Sequence, residues 1–251
     1  MCTCVIGNAR IFRRVIVSAE RLWTRREVEH QHLFFKMVKY YTLEEVRFHN
    51  SADDCWLSIS NKVYDITKLI DANRGLLANP LIEAAGTSIS HWFSEKTGDV
   101  KTYMDPARNI VMPHTPLGRF IHVPAPNPQD NSPAVDLPWW KDPQYIIGQL
   151  TEKTRMIKIV NMVTRAEDVI TVCHEETIND IRDRYMEYNA HAQSYTFKAL
   201  IKDEFVCLDM KKTLDDNNVP DESDKFVDLN MDYDFYIPAL HIYFNDDLTS
   251  L

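Results

Sequence analysis

Five cysteines are the residues of this chain best suited to covalent or metal chemistry, and their spacing denies them most of it. Cys2 and Cys4 form a C-x-C pair at the N-terminus, whereas Cys55, Cys173 and Cys207 stand alone. Two thiols cannot complete a structural zinc shell, no spacing is that of a zinc ribbon, and scattered thiols fit a reducing compartment. The six glycines form neither a dinucleotide fingerprint nor a phosphate loop, and no nucleophile–base pair stands out. These features point to a non-enzymatic protein. The remaining candidates are side chains able to ligate a metal: the imidazoles of His91, His114 and His122 and the phenol of Tyr103, with His49 upstream. A phenol ionises at about pH 10, so Tyr103 becomes a ligand at neutral pH only beside a metal or another cation.

The elements that must position these groups fall into two halves. The chain has 251 residues and is 45% hydrophobic, enough for one large core or two small ones. Residues 1–36 carry seven Lys and Arg against three Asp and Glu, leaving 21 basic against 34 acidic residues in the remainder. An acidic body argues against nucleic acid or an anionic membrane as the main partner. No apolar run approaches the roughly 20 residues needed to span a bilayer, so the chain is expected to be soluble or held to a larger structure by protein contacts. The Arg-rich stretch 1–36 partly resembles a mitochondrial transit peptide, but Glu20, Glu27, Glu29 and Met37 favour a disordered or alternative-start tail. It is set aside from the fold.

Residues 37–152 read as the first domain. Thr42, with Glu44 and Glu45 behind it, predicts a capped helix through Phe48. Cys55–Ile59 and Lys62–Ile66 predict strands around a Ser60-Asn61 turn, and apolar clusters between Leu69 and Phe93 have helical spacing. Residues 104–143 hold nine of the twelve prolines and predict an extended wrap or long loop inserted before a closing strand, Tyr145–Leu150. Trp139 and Trp140 within it are expected to pack back on the domain. Residues 153–251 predict strand, strand, helix, strand, strand, loop, strand: 156–163, 169–172, a helix from Thr177 to about Tyr188, 195–201, 205–210 and 240–244. That order is the β-grasp order. Leu208-Asp209 with Thr213 to Val219 resembles a turn of ubiquitin-like domains, while Asp247 to Leu251 lacks the Gly-Gly needed for conjugation. The expected class is therefore α+β, the second domain serving as a binding surface or packing partner.

The first domain carries a resemblance. Tyr41-Thr42-Leu43-Glu44-Glu45-Val46, His49-Asn50-Ser51, Trp56 and Val63-Tyr64-Asp65-Ile66-Thr67-Lys68 resemble the opening of a cytochrome b5 haem domain, and Tyr145 to Leu150 its closing strand. The resemblance implies haem b, held by two imidazoles in a crevice walled by Leu69, Ile70, Leu76, Leu77, Ile82 and Phe93. Yet the family's His-Pro-Gly-Gly turn is here Asp71-Ala72-Asn73-Arg74-Gly75. Asn73 occupies the first-ligand position, and a neutral amide oxygen is a poor iron ligand. For the second ligand, an ungapped alignment gives Gly98, a short insertion gives Tyr103, and His91 lies on the preceding segment; a tyrosinate can bind ferric haem. His49 belongs to a structural segment of the family.

Asn50-Ser51, Ser90-His91-Trp92-Phe93, Pro138-Trp139-Trp140 and Tyr243 to Leu248 together are similar to a ciliary group of cytochrome b5-domain proteins. That similarity implies the cytoplasm and ciliary axoneme, radial-spoke proteins as partners, and a role in cilium movement. The function that follows is a non-enzymatic haem-binding and redox-sensing module of the axoneme; the alternative is a haem-free adaptor docking through both domains, with an accessory electron donor as a third reading.

Overall fold

Thr42 begins the first helix as its residue type predicts, accepting from the Glu45 amide while the Glu45 carboxylate accepts from the Thr42 amide. In the computed structural model, residues 38–107, 109–125 and 137–245 are described. The tail 1–36, with Cys2 and Cys4, lies outside them, as does the middle of the insertion. The compact unit is Lys39–Leu251.

Its first half is built on β1 (Tyr40–Tyr41), α1 (Leu43–Phe48), β2 (Asn50–Ser51), β3 (Asp54–Ile59), β4 (Lys62–Asp65), α2 (Thr67–Ala72), α3 (Asn79–Glu83), the hairpin β5 (Thr102–Asp105) and β6 (Ile110–Pro113), and β7 (Ile146–Leu150). The sheet order is β1-β7-β4-β3-β2, with β1 parallel to β7. Ser60 and Asn61 both take positive φ between β3 and β4, the conformation a two-residue hairpin turn demands. Strand β7 lies so close to β1 that a Cβ on Gly148 would sit 2.2 Å from the Lys39 carbonyl oxygen and 2.7 Å from the Tyr41 ring. No residue but glycine fits there. One face of this sheet carries a small core of Tyr41, Val46 and Val63. The other carries the main core under α2, α3 and a 3-10 turn at Ser90–Trp92.

The second half contains β8 (Thr154–Asn161), β9 (Glu167–Cys173), α4 (Ile178–Tyr185), β10 (Tyr195–Ile201), β11 (Glu204–Cys207), α5 (Ser223–Asp228) and β12 (Ala239–Phe244). Its sheet runs β11-β10-β12-β8-β9, the first and last strands parallel neighbours at the centre. Alternation along β8 buries Ile157 and Ile159 against Ile178, Ile181 and Tyr185 of α4.

Several elements differ from the sequence expectation. Part of the insertion is regular, since β5 and β6 pair from Thr102↔Pro113 to Asp105↔Ile110; their prolines, at the turn and at a strand end, leave the ladder intact. Helix α4 stops at Tyr185, and β11 stops at Cys207 because the chain turns inward at Leu208. Helix α5 has no buried residue, hence no apolar stripe to announce it.

Candidate functional site

Strands β3 and β4 form the floor of the main core, with Leu57 and Tyr64 buried on it. Of the expected crevice walls, Leu69, Ile70 and Phe93 are buried there and Ile82 packs against them. Leu76 and Leu77 are not walls: they are 87% and 40% exposed. The turn that would bring them inward has changed. The Asn73 amide nitrogen donates to the Leu69 carbonyl at 2.9 Å, finishing α2, and the Arg74 guanidinium binds Asp71 and Asp53. Asn73 and its neighbours through Leu77 are consequently a surface turn.

The other candidates are also at the surface. His91 is exposed on the 3-10 turn, edge-on to Trp92 at 6.0 Å. Tyr103, 48% exposed, pairs with Met112 in the β5–β6 hairpin and stands 6.5 Å from the His114 ring, beside a hollow of about 210 Å³. His49 stacks on Trp56 at 3.5 Å and bonds Asp54 at 2.7 Å, a packing role. Gly98 is exposed in the turn before β5.

The core interior is occupied by residues of the insertion. Phe120 and Trp139 are 0% exposed and Trp140 8%, with Ile121 and Val123 buried beside them. Their rings interlock: Trp139 meets Tyr64 at 5.9 Å and Trp140 at 5.7 Å, Phe120 meets Trp92 at 5.4 Å, and Phe93 meets Trp140 at 5.7 Å. Polar bonds fix this plug. The Tyr64 hydroxyl donates to the Trp140 carbonyl at 3.1 Å, the Trp139 amide donates to His122 Nδ1 at 3.0 Å, and the Arg119 guanidinium donates to the Val123 carbonyl at 2.8 Å. Burial pushes the His122 pKa down, keeping the ring neutral and Nδ1 free to accept. Sequence reading assigned His122 no part in this; its partner lies 17 residues away in the chain.

The Cyt-b5 family model, described as "Cytochrome b5-like Heme/Steroid binding domain", matches residues 42–109. Cytochrome b5 domain-containing protein 1 of Xenopus laevis is 47% identical over 85% of this chain and 97% of its own length, and that of Homo sapiens 42% over 85% and 92%. This chain belongs to the cytochrome b5 domain-containing protein 1 family. The solved cytochrome b558 of Ectothiorhodospira vacuolata is 22% identical, covering 45% of this chain and all of its own, at a TM-score of 0.25. The first half is a cytochrome b5-like domain of mixed helix and sheet, and haem b is the cofactor that family membership implies.

The residues present do not fit that group in the crevice. Its volume is filled by Phe120, Trp139 and Trp140, the first-ligand position is an asparagine bonded to its own helix, and His91 and Tyr103 are solvent-exposed. Among the described residues no cluster of three His, Cys, Asp or Glu could hold a metal ion. Burial pushes the Cys55 and Cys173 thiols up to about 12, so both stay protonated and unreactive at neutral pH.

A second polar centre, missed by sequence reading, joins the two halves. Arg184 on α4 donates through Nε to both Glu176 oxygens, at 2.6 and 2.8 Å, and through its terminal nitrogens to Glu45 and the Tyr40 carbonyl. Burial pushes Glu176 up, offset only in part by the guanidinium. At Glu45 burial acts the same way, but the bonds from Arg184 and Thr42 outweigh it and lower the pKa. Glu45 thus closes the cap of α1 and the bridge to α4 together.

Proposed function

We propose that this chain is a non-enzymatic structural adaptor: a cytochrome b5 fold whose haem crevice is closed by its own insertion, docking to partners through both halves. The observation that carries this reading is the burial of Phe120, Trp139 and Trp140 among Leu69, Ile70 and Phe93. Protein interiors are packed at crystal-like density, so a filled core leaves no volume for a second occupant of the same space.

The second half is read here as a ubiquitin-like β-grasp. Supporting this are the strand order β11-β10-β12-β8-β9, the helix after the first hairpin, and the loop after β11, where buried Asn217 accepts from the Asp209 amide and donates to the Asp209 and Thr213 carbonyls. The setting proposed is the ciliary axoneme within the cytoplasm, with radial-spoke proteins as partners and cilium movement as the process. It follows from the family resemblance alone.

Haem-linked redox sensing, the function the family suggests, would require the plug to leave and His91 or Tyr103 to reach iron. Titration of haemin into the full chain, repeated with His91→Ala and Tyr103→Phe, separates the two. No stoichiometric Soret shift is expected in any of the three proteins. A one-to-one Soret band abolished by either substitution would overturn the adaptor reading and name the ligand.

A further inference from the structure

Strand β9 is an outer strand of the second sheet, and its free edge lies along a cleft. The β8–β9 ladder fixes which backbone groups face outward. Asn161 donates to the Ala166 carbonyl at 2.9 Å and His174 to the Lys153 carbonyl at 3.0 Å, so even-numbered residues of β9 bond to β8 and odd-numbered ones turn away. Cys173 is consistent with this, its amide reaching the Glu176 carboxylate at 2.9 Å. Val169 and Thr171 therefore present N–H and C=O groups outward, and neither finds a backbone partner among the described residues. Such an edge is a template for another strand.

The cleft is about 750 Å³, a size that ligand sites commonly have, and α1 and α4 form its other sides. Phe48, 83% exposed, and half-exposed Tyr188 give it an apolar rim. Six carboxylates line it against two cationic side chains. Arg184 is spent on Glu45 and Glu176, and Lys39 sits 4.9 Å from the Tyr41 ring centroid, while Glu44 and Glu187 have no ion-pair partner among the described residues. A second copy is a poor occupant, because pairing two β9 edges would bring two carboxylate-lined clefts together.

We infer that this cleft receives an extended basic segment of a partner protein, added as a strand to the edge of β9, with its cationic side chains facing Glu44 and Glu187. Main-chain bonds to Val169 and Thr171 would supply affinity, and the acidic and aromatic rim would supply selectivity. The inference rests on the adaptor reading and names the chemistry of one docking partner.

The test uses the isotope-labelled full chain with a synthetic nine-residue peptide of alternating lysine and valine, and its glutamate-for-lysine counterpart. The lysine peptide is expected to slow hydrogen exchange at the Val169 and Thr171 amides and to bind less tightly as salt rises. Val169→Pro removes an outward donor without touching a bond to β8, and Glu187→Lys reverses the rim charge; each is expected to weaken binding by about tenfold. Should Val169→Pro fail to fold, Glu187→Lys and the amide exchange decide. No binding at millimolar peptide in low salt, equal binding of the glutamate peptide, or affinity unchanged by Glu187→Lys would overturn the inference. So would a dimer seen by sedimentation that Val169→Pro dissolves, since the edge would then serve a second copy. A Soret band in the haemin titration would bear on the crevice alone and leave the edge site to be judged by the peptide.

Discussion

Replacing Trp139 with alanine removes the centre of the plug, and the expected cost can be worked from its surroundings. The side chain is 0% exposed and touches Tyr64, Phe120 and Trp140. Truncating a buried tryptophan costs about 3–5 kcal/mol, the cavity included. Its indole N–H has no hydrogen-bond partner among the described residues, so no bond among them is lost, and the lower part of that range is expected. At a urea slope of about 2 kcal/mol per molar, the unfolding midpoint should fall by about 1.5–2 M. Trp139→Phe sharpens the test. It gives up part of the ring volume but relieves an orphaned donor that costs about 1–3 kcal/mol, so its net effect should be within about 1 kcal/mol. Four of the five tryptophans, Trp56, Trp92, Trp139 and Trp140, belong to the first half; fluorescence-detected urea unfolding therefore reports mainly on that half. A solvent-facing pair kept for docking would tolerate Trp139→Ala within about 0.5 kcal/mol. A midpoint shift below about 0.3 M would refute the plug.

Two further perturbations probe the polar links. Arg184→Met leaves Glu176, 4% exposed, without its counter-charge, and breaking such a buried pair costs about 3–5 kcal/mol; because Arg184 also binds Glu45, the fluorescence and circular-dichroism transitions should separate, and coincident, unshifted transitions would count against the bridge. At Asp221 burial raises the carboxyl, but bonds from Lys153 and Ser223 outweigh it and hold it down at about 2, below its ordinary 3.8. A depressed carboxyl contributes stability that is complete above its unfolded value and lost as pH falls through the folded one. Urea midpoints should therefore fall from about pH 4 toward pH 2 less steeply in Asp221→Asn than in the unaltered chain, and equal slopes would show that the pair contributes nothing.

How much could be read from the residues depended on range. Local signals were legible: the Thr42–Glu45 cap, the Ser60-Asn61 turn and the Tyr145–Leu150 strand each rest on residues within a few positions. The alternation along β8 and the Thr177 cap of α4 were equally plain, and Trp139 and Trp140 do pack back. Where they pack was not legible, because that depends on Tyr64 and Phe93, which lie tens of residues upstream. The β5–β6 hairpin was masked by prolines, although Asn109 takes the positive φ of its turn. Leu76 and Leu77 misled because their spacing is helical while the altered turn keeps them outside. Arg184 gave no local sign at all; its partner Glu45 is 139 positions away.

The altered ligand turn and the plug make sense as one change. A sheet face bearing Leu57 and Tyr64 beside Leu69, Ile70 and Phe93 cannot be left uncovered in water, and in a haem protein the prosthetic group supplies part of the cover. Here the same face is covered by aromatic side chains from the chain itself, held by the Tyr64, His122 and Arg119 bonds. Once the cover is intramolecular, nothing requires an imidazole at position 73. Asn73 is then free to finish α2 and Arg74 to bind Asp53 across the surface. An imidazole at that position would stand on an exposed surface turn, apart from the filled core. The interior of the first half is thus completed by the chain's own side chains, which is what the proposed adaptor reading requires.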